Sequence, residues 1–391
     1  MAGAGERFGL LCKFRKGSEE GGSICEMPSE NAAPARVSRI VSAQNALKGP
    51  LASGGVGDIL IENDEVVFVI NQIAKNEVPS EGGGHLIDAA DARAREDELG
   101  FFMPYEGQNG QKAIYEKMQS GVNDQGMAFV DVYGHDGARP EIKIHTRYSL
   151  GPLDRTLLVS TEIQNGGEKA LGPVDLGDRV HWGSSALLIP GEAPEADLKD
   201  RRSIYLGGLG RDISYLIAPV GDSDIFSSTA EGQSELIFER NIFISPGAAH
   251  RYERVISVAQ RGDPVALANE FFFLQGGAPG GLSIQLLDSN KKNIPVTANS
   301  RIVLERVPAV EGAAPSWVDT WWMKSTRKDA AHPQSYVLGG EIPPGRYAIQ
   351  YEVDGRRTSA KAIAEVKSGA LSHIVLLISE PQNADSIPHA P

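Results

Sequence analysis

The sequence predicts an all-β protein: a large β-sandwich over residues 36–275, then a small β-sandwich over 282–380. Three observations predict it. The 391 residues include 44 glycines and 23 prolines, together roughly 17 % of the chain against an average of about 12 %. Helix interiors exclude such a load, whereas short strands joined by tight turns accommodate it. Alternating β-branched runs recur along most of the chain, separated by turn residues. Only one segment in the larger part carries both the start and the stop signals of a helix.

Residues 1–35 read as a polar leader, rich in Gly, Ser and Glu, with Pro28 and Pro34 near its end. Asp58–Glu62 and Val66–Ile70 form a hairpin around Asn63-Asp64-Glu65. A second hairpin joins Met127–Tyr133 to Glu141–Tyr148 through Gly134–Gly137, and both arms alternate, so each has one buried and one wet face. Arg155–Gln164 repeats the pattern and turns at Asn165-Gly166-Gly167. Further strands are expected at Ile213–Ile217, Ser234–Ile244 and His250–Ala259. The helix runs over Val265–Leu274, with Asp263 as N-cap, Pro264 at the first position and Gly276-Gly277 as the stop. Residues 276–281 read as a linker and a domain boundary. Beyond it, Leu282–Leu287, Arg301–Val307, Arg346–Val353, Thr358–Val366 and Leu371–Ile378 are strands of a sandwich of immunoglobulin-like or transthyretin-like size. An insertion at Pro308–Ser335 holds three of the four tryptophans, and residues 381–391 form a polar tail.

Composition excludes several classes. With 41 % hydrophobic and 23 % charged residues the chain is globular and able to bury a core. A net charge of −13 opposes general binding to nucleic acid or anionic membranes. No run approaches the roughly 18 apolar residues of a membrane span. Two cysteines, Cys12 and Cys25, exclude a disulfide-dense scaffold and a zinc site built on cysteine. The eight histidines are scattered without ligand spacing, so neither metal nor cofactor is expected. Gly82–Gly84 and Gly207-Gly208-Leu209-Gly210 read as turn glycines, because a phosphate loop needs a strand before it and a helix after it.

Gly281-Leu-Ser-Ile-Gln-Leu-Leu-Asp-Ser-Asn290, Ile294-Pro-Val296 and Ile342-Pro-Pro-Gly-Arg-Tyr347 carry a resemblance to the carboxypeptidase regulatory-like family of prealbumin-type sandwiches. The resemblance implies an accessory module without catalytic residues. Gly57–Val67, Gly84-His-Leu-Ile-Asp-Ala-Ala-Asp91 and Leu176-Gly-Asp-Arg-Val-His-Trp-Gly183 carry a second one. Residues 37–274 resemble the mutarotase-like supersandwich modules that precede metallohydrolases of the polymerase-and-histidinol-phosphatase type. The histidine-rich metal-binding domain of those hydrolases has no counterpart in the 391 residues.

Asp175-Leu-Gly-Asp178-Arg-Val-His181-Trp182 is the densest functional-looking string. Read as chemistry, Asp178 and His181 share proton transfer at a sugar's anomeric centre, and Trp182 offers a face for a pyranose ring. Read as structure, it is a strand-to-loop turn with Trp182 packed inside. His85, with Asp88 and Asp91, offers contacts to hydroxyls or a hard cation, or else the aspartates form turns. Trp317, Trp321 and Trp322 in the insertion are either a carbohydrate-stacking or partner-docking platform or a seal against protein. The expected function is non-catalytic binding of a carbohydrate or glycan at the bacterial envelope or exterior. The alternatives are a sugar epimerase or lyase-like enzyme using His181 and Asp178, or the N-terminal part of a metal-dependent hydrolase.

Overall fold

A computed structural model describes residues 11–13, 24–26, 33–73, 82–107, 111–190, 198–221, 223–294, 300–307, 320–324, 337–358 and 361–378. In chain order the strands are β1 (Leu11–Lys13), β2 (Ile24–Glu26), β3 (Arg36–Arg39), β4 (Ile59–Glu62), β5 (Val66–Ile70), β6 (Leu86–Asp91), β7 (Phe101–Gly107), β8 (Gln111–Val122) and β9 (Ala128–Asp136). There follow β10 (Ile142–Leu150), β11 (Thr156–Asn165), β12 (Leu171–His181), β13 (Ala186–Leu188), β14 (Leu198–Ser203), β15 (Leu206–Leu209), β16 (Ser214–Pro219), β17 (Ile225–Ala230), β18 (Gln233–Ile244) and β19 (Ala249–Ala259). After the helix α1 (Pro264–Leu274) come β20 (Gly280–Asp288), β21 (Ser300–Arg306), β22 (Thr320–Lys324), β23 (Val337–Ile342), β24 (Gly345–Val353), β25 (Arg356–Arg357), β26 (Ala362–Val366) and β27 (Leu371–Ile378). The protein is all-β apart from α1 and a single 3-10 turn among the described residues.

The chain divides into two compact units: residues 1–262 with 274–276, and residues 263–273 with 277–391. In the first, one antiparallel sheet runs β3-β4-β5-β6-β7-β12-β18-β17-β14, and another runs β8-β9-β10-β11-β19-β16-β15-β13. Pairing of β7 with β8 joins them. Apolar side chains of the two sheets meet in one core, with Ile61, Phe68, Leu86 and Val180 from the first and Val132, Ile144, Val159 and Ile256 from the second. The period of two is clean where it matters: along β10, Ile142, Ile144, Thr146 and Tyr148 are buried while Lys143 and Arg147 are exposed.

Several expectations shift. The second hairpin turns later than its glycines suggest, because β9 continues through Gly134 to Asp136. At Gly134 a Cβ would stand 1.9 Å from the Ile114 carbonyl oxygen, so this glycine permits a close strand approach and makes no turn. Gly207 and Gly208 likewise lie within strand β15. Inside the expected leader, β1 and β2 pair, with Cys12 and Cys25 as backbone partners. The expected helix begins as read, with the Asp263 carboxylate accepting the Ala266 N–H at 2.9 Å. Residues 263–273 group with the second unit, where Val265 enters the core of Leu282, Ile284, Ile302 and Leu304, while 274–276 group with the first. That unit has a three-stranded sheet, β23-β20-β27, and a five-stranded one built on β22-β21-β24-β25 with β26 on β24. The Pro-Pro-Gly-Arg-Tyr step is anchored by the buried Tyr347, whose hydroxyl donates to the Pro343 carbonyl at 2.7 Å.

Charge also crosses the first unit's interior. Arg254 of β19 and Asp178 of β12 are both 0 % exposed and form a two-pronged pair, Nε to Oδ2 at 2.6 Å and Nη2 to Oδ1 at 2.7 Å. The Tyr252 hydroxyl and the Tyr105 N–H donate to the same carboxylate at 3.0 and 3.1 Å. From Arg254 a chain continues through Thr161 (2.8 Å) and Thr146 (3.0 Å) to Tyr115 (2.7 Å). A buried pair of this kind adds little net stability over apolar residues of equal volume, but removing one partner strands a charge. Arg254→Met is therefore expected to cost about 3–5 kcal/mol in urea unfolding, and Arg254→Met with Asp178→Leu to cost clearly less.

Candidate functional site

The outward faces of β9, β10, β11 and β19 carry two polar ranks and one largely apolar rank in register across four strands. One rank is Asp131, Arg147, Ser160 and Glu253; the next is Tyr133, His145, Glu162 and Arg251; a third is Phe129, Ser149, Leu158 and Val255. Small Ser149 and Ser160 sit between larger neighbours, so the face dips there. The result is an open groove of about 560 Å³, floored by Ser149, Leu158 and Ser160 and walled by Phe129 and Arg147 on one side and Arg251 and Glu253 on the other. This volume lies within the range of small-molecule sites, roughly 300–1,000 Å³.

Its charged groups hold each other in place. Arg147 grips Asp131 with Nε at 2.8 Å and Nη2 at 2.7 Å, and His145 Nε2 donates to the same carboxylate at 2.7 Å. Burial alone would raise the Asp131 carboxyl, but the hydrogen bonds from His145 and Arg147 outweigh it and hold the group at about 2. The Arg147 guanidinium also lies 4.8 Å from the Phe129 ring centroid, and Tyr133 stacks on His145 at 4.3 Å and 7°. Gln119 Nε2 donates to the Tyr133 hydroxyl at 2.8 Å, and Arg251 pairs with Glu162 at 2.7 Å. Glu253 and Asp124, also at the groove, take no ion-pair or hydrogen-bond partner through their carboxylates among the described residues.

The residues singled out in the sequence lie elsewhere. Asp178 points into the core against Arg254, while His181 is on the opposite face of β12, stacked on Phe101 at 5.5 Å. They do not form an acid–base pair, because a spacing of three on a strand puts residues on opposite faces. Trp182 offers no stacking face: it is 0 % exposed, and its Nε1–H donates to Ser234 Oγ at 2.7 Å. A Cβ at Gly208 would stand 2.5 Å from its ring. His85 is buried beside Tyr115 and is not presented to a ligand; burial first, then the Lys112 charge, pushes its imidazole down to about 4. Asp88 accepts the Ser53 and Gly54 N–H groups, and Asp91 those of Arg93 and Ala94, so both fasten loops. Trp317 lies outside the described residues. Trp321 and Trp322 belong to strand β22, opposite Leu304 and Val303, and their side chains lie outside what is described. Among the described residues no cluster of His, Cys, Asp and Glu is set to hold a metal ion.

No family model matches the sequence, and no curated protein matches it. Solved structures that match include an alpha-galactosidase from Lactobacillus brevis, with a TM-score of 0.36 at 9% identity over 59% of this chain and 44% of its own. A GH36 alpha-galactosidase from Geobacillus stearothermophilus matches with a TM-score of 0.37 at 9% identity, over 60% of this chain and 45% of that one. A galactose mutarotase-like protein from Clostridium acetobutylicum gives 0.34 at 7% identity, over 58% and 99%. The chain spans about half the length of the first of these structures.

The depressed Asp131 carboxyl sets a pH dependence. Its folded value of about 2 lies below the unfolded value of about 3.9, so its stabilisation is complete above pH 4 and is lost as pH falls toward 2. Asp131→Asn is expected to be less stable than wild type at pH 6, with the gap closing as pH drops to about 2. Urea midpoints of both proteins across that pH series measure it.

Proposed function

We propose that the protein binds a carbohydrate in the groove on the β9–β10–β11–β19 face. The observation that supports this most is the register of the polar ranks around a floor of small serines. A sugar presents many neutral hydroxyls at fixed angles, and it is recognised best by planar carboxylate and guanidinium groups already held by their neighbours. Arg147, Glu162 and Arg251 line the groove and are held in that way, Arg147 by the buried Asp131 carboxylate. Phe129 and Leu158 supply apolar area for the ring's C–H faces.

A second reading, acid–base chemistry on the bound sugar, is favoured by the Asp131–His145 hydrogen bond together with the unpartnered Glu253 carboxylate. It replaces His181 and Asp178 with residues that share one face. Anomeric exchange followed by NMR, lost in His145→Ala, would support it over simple binding.

Calorimetric titration with a panel of neutral, acidic and amino oligosaccharides tests the binding reading. At least one is expected to bind wild type, and Ser160→Phe, which fills the floor from an outward position, is expected to abolish binding without changing the unfolding midpoint. Silence of wild type across the whole panel overturns the proposal.

A further inference from the structure

The charges of the groove do not balance, and the imbalance has a sign. Arg147 is committed to Asp131 on both prongs, and Arg251 to Glu162. Each of these pairs is neutral overall. What remains at the groove is Glu253, on the wall opposite Arg147, and Asp124, in the turn between β8 and β9; neither carboxylate has a partner among the described residues. His145 is shared with the already doubly bound Asp131. A ligand entering between the walls therefore meets two uncompensated negative charges and no uncommitted arginine.

Resting on the carbohydrate reading above, we infer that the groove selects a cationic sugar, one whose ring carries a free ammonium group, over its neutral and anionic counterparts. Glu253 is the group that takes the ammonium. It stands two strands from Arg147, about 10 Å along the hydrogen-bonding direction, with only Ser160 between them in the rank. The gap has room for a ring lying over Ser160, with hydroxyls toward Arg147 and an amine toward Glu253. An ammonium satisfies that carboxylate with charge-assisted hydrogen bonds, whereas an acetamido group or a hydroxyl leaves it unneutralised. A uronate would bring a third negative charge to the same wall and be repelled.

The probes are a glucosamine tetramer, its N-acetylated counterpart and a galacturonate tetramer, titrated calorimetrically at pH 6 in about 50 mM salt, where surface charge is only partly screened. Wild type is expected to bind the amine sugar about tenfold or more tightly than the acetylated one, as charge-assisted hydrogen bonds outweigh neutral ones. Raising the salt should erode that preference, and Glu253→Gln with Asp124→Asn should bring the two affinities to within about twofold of each other. Equal affinity for the amine and acetylated sugars, or tighter binding of the galacturonate, overturns the charge inference and leaves the carbohydrate reading standing. A preference for the amine that survives both substitutions also overturns it. Absence of binding by all three probes, together with silence across the wider panel, overturns the carbohydrate reading and this inference with it.

Discussion

The buried Asp178–Arg254 pair is the constraint on which the rest of the first unit depends. It joins β12 of one sheet to β19 of the other, and its satisfaction requires Tyr252, the Tyr105 backbone and Thr161 in place. Period two then carries the constraint outward. With Arg254 facing in, Glu253 and Arg251 must face out; with Thr161 in, Ser160 and Glu162 must face out. Thr146, bonded to Thr161, does the same for His145 and Arg147. The inner polar chain therefore lies beneath the outer ranks and fixes which side chains form them. A slip of one residue in β10 or β19 would turn two outward charges toward the core, Lys143 and Arg147 or Arg251 and Glu253, and expose the core row.

Much of the fold was legible in the sequence because it is local. The Asn63–Glu65 hairpin, the helix capped by Asp263 and the Tyr347 turn are each specified within a dozen residues. Gly134 and Gly208 misled for the same reason: their role is set by Ile114 and Trp182, which lie far off in sequence. The site was the least legible part. Alternation showed that Lys143, His145 and Arg147 share a wet face. It did not show that Glu253, more than a hundred residues later, completes the rank, since strand order and register belong to the tertiary fold. Asp178, His181 and Trp182 drew attention by their density, yet parity along a strand already separates the first two.

The interactions of the two faces also differ in energetic weight. Outward pairs such as Arg251–Glu162 are solvent-exposed and contribute on the order of 0–1 kcal/mol to folding. The inward rows hold the apolar contacts and the buried pair, where single losses are costly. The core contacts and the outward polar groups thus reside on alternate residues of the same strands.

That alternation makes the outer face an addressable grid. Each position is one side chain on one strand, flanked along the strand by residues that face the core. A lineage carrying this fold can exchange a carboxylate for an amide, or a serine for a larger residue, one square at a time. The chemistry of that face can drift widely while the sheet beneath stays the same.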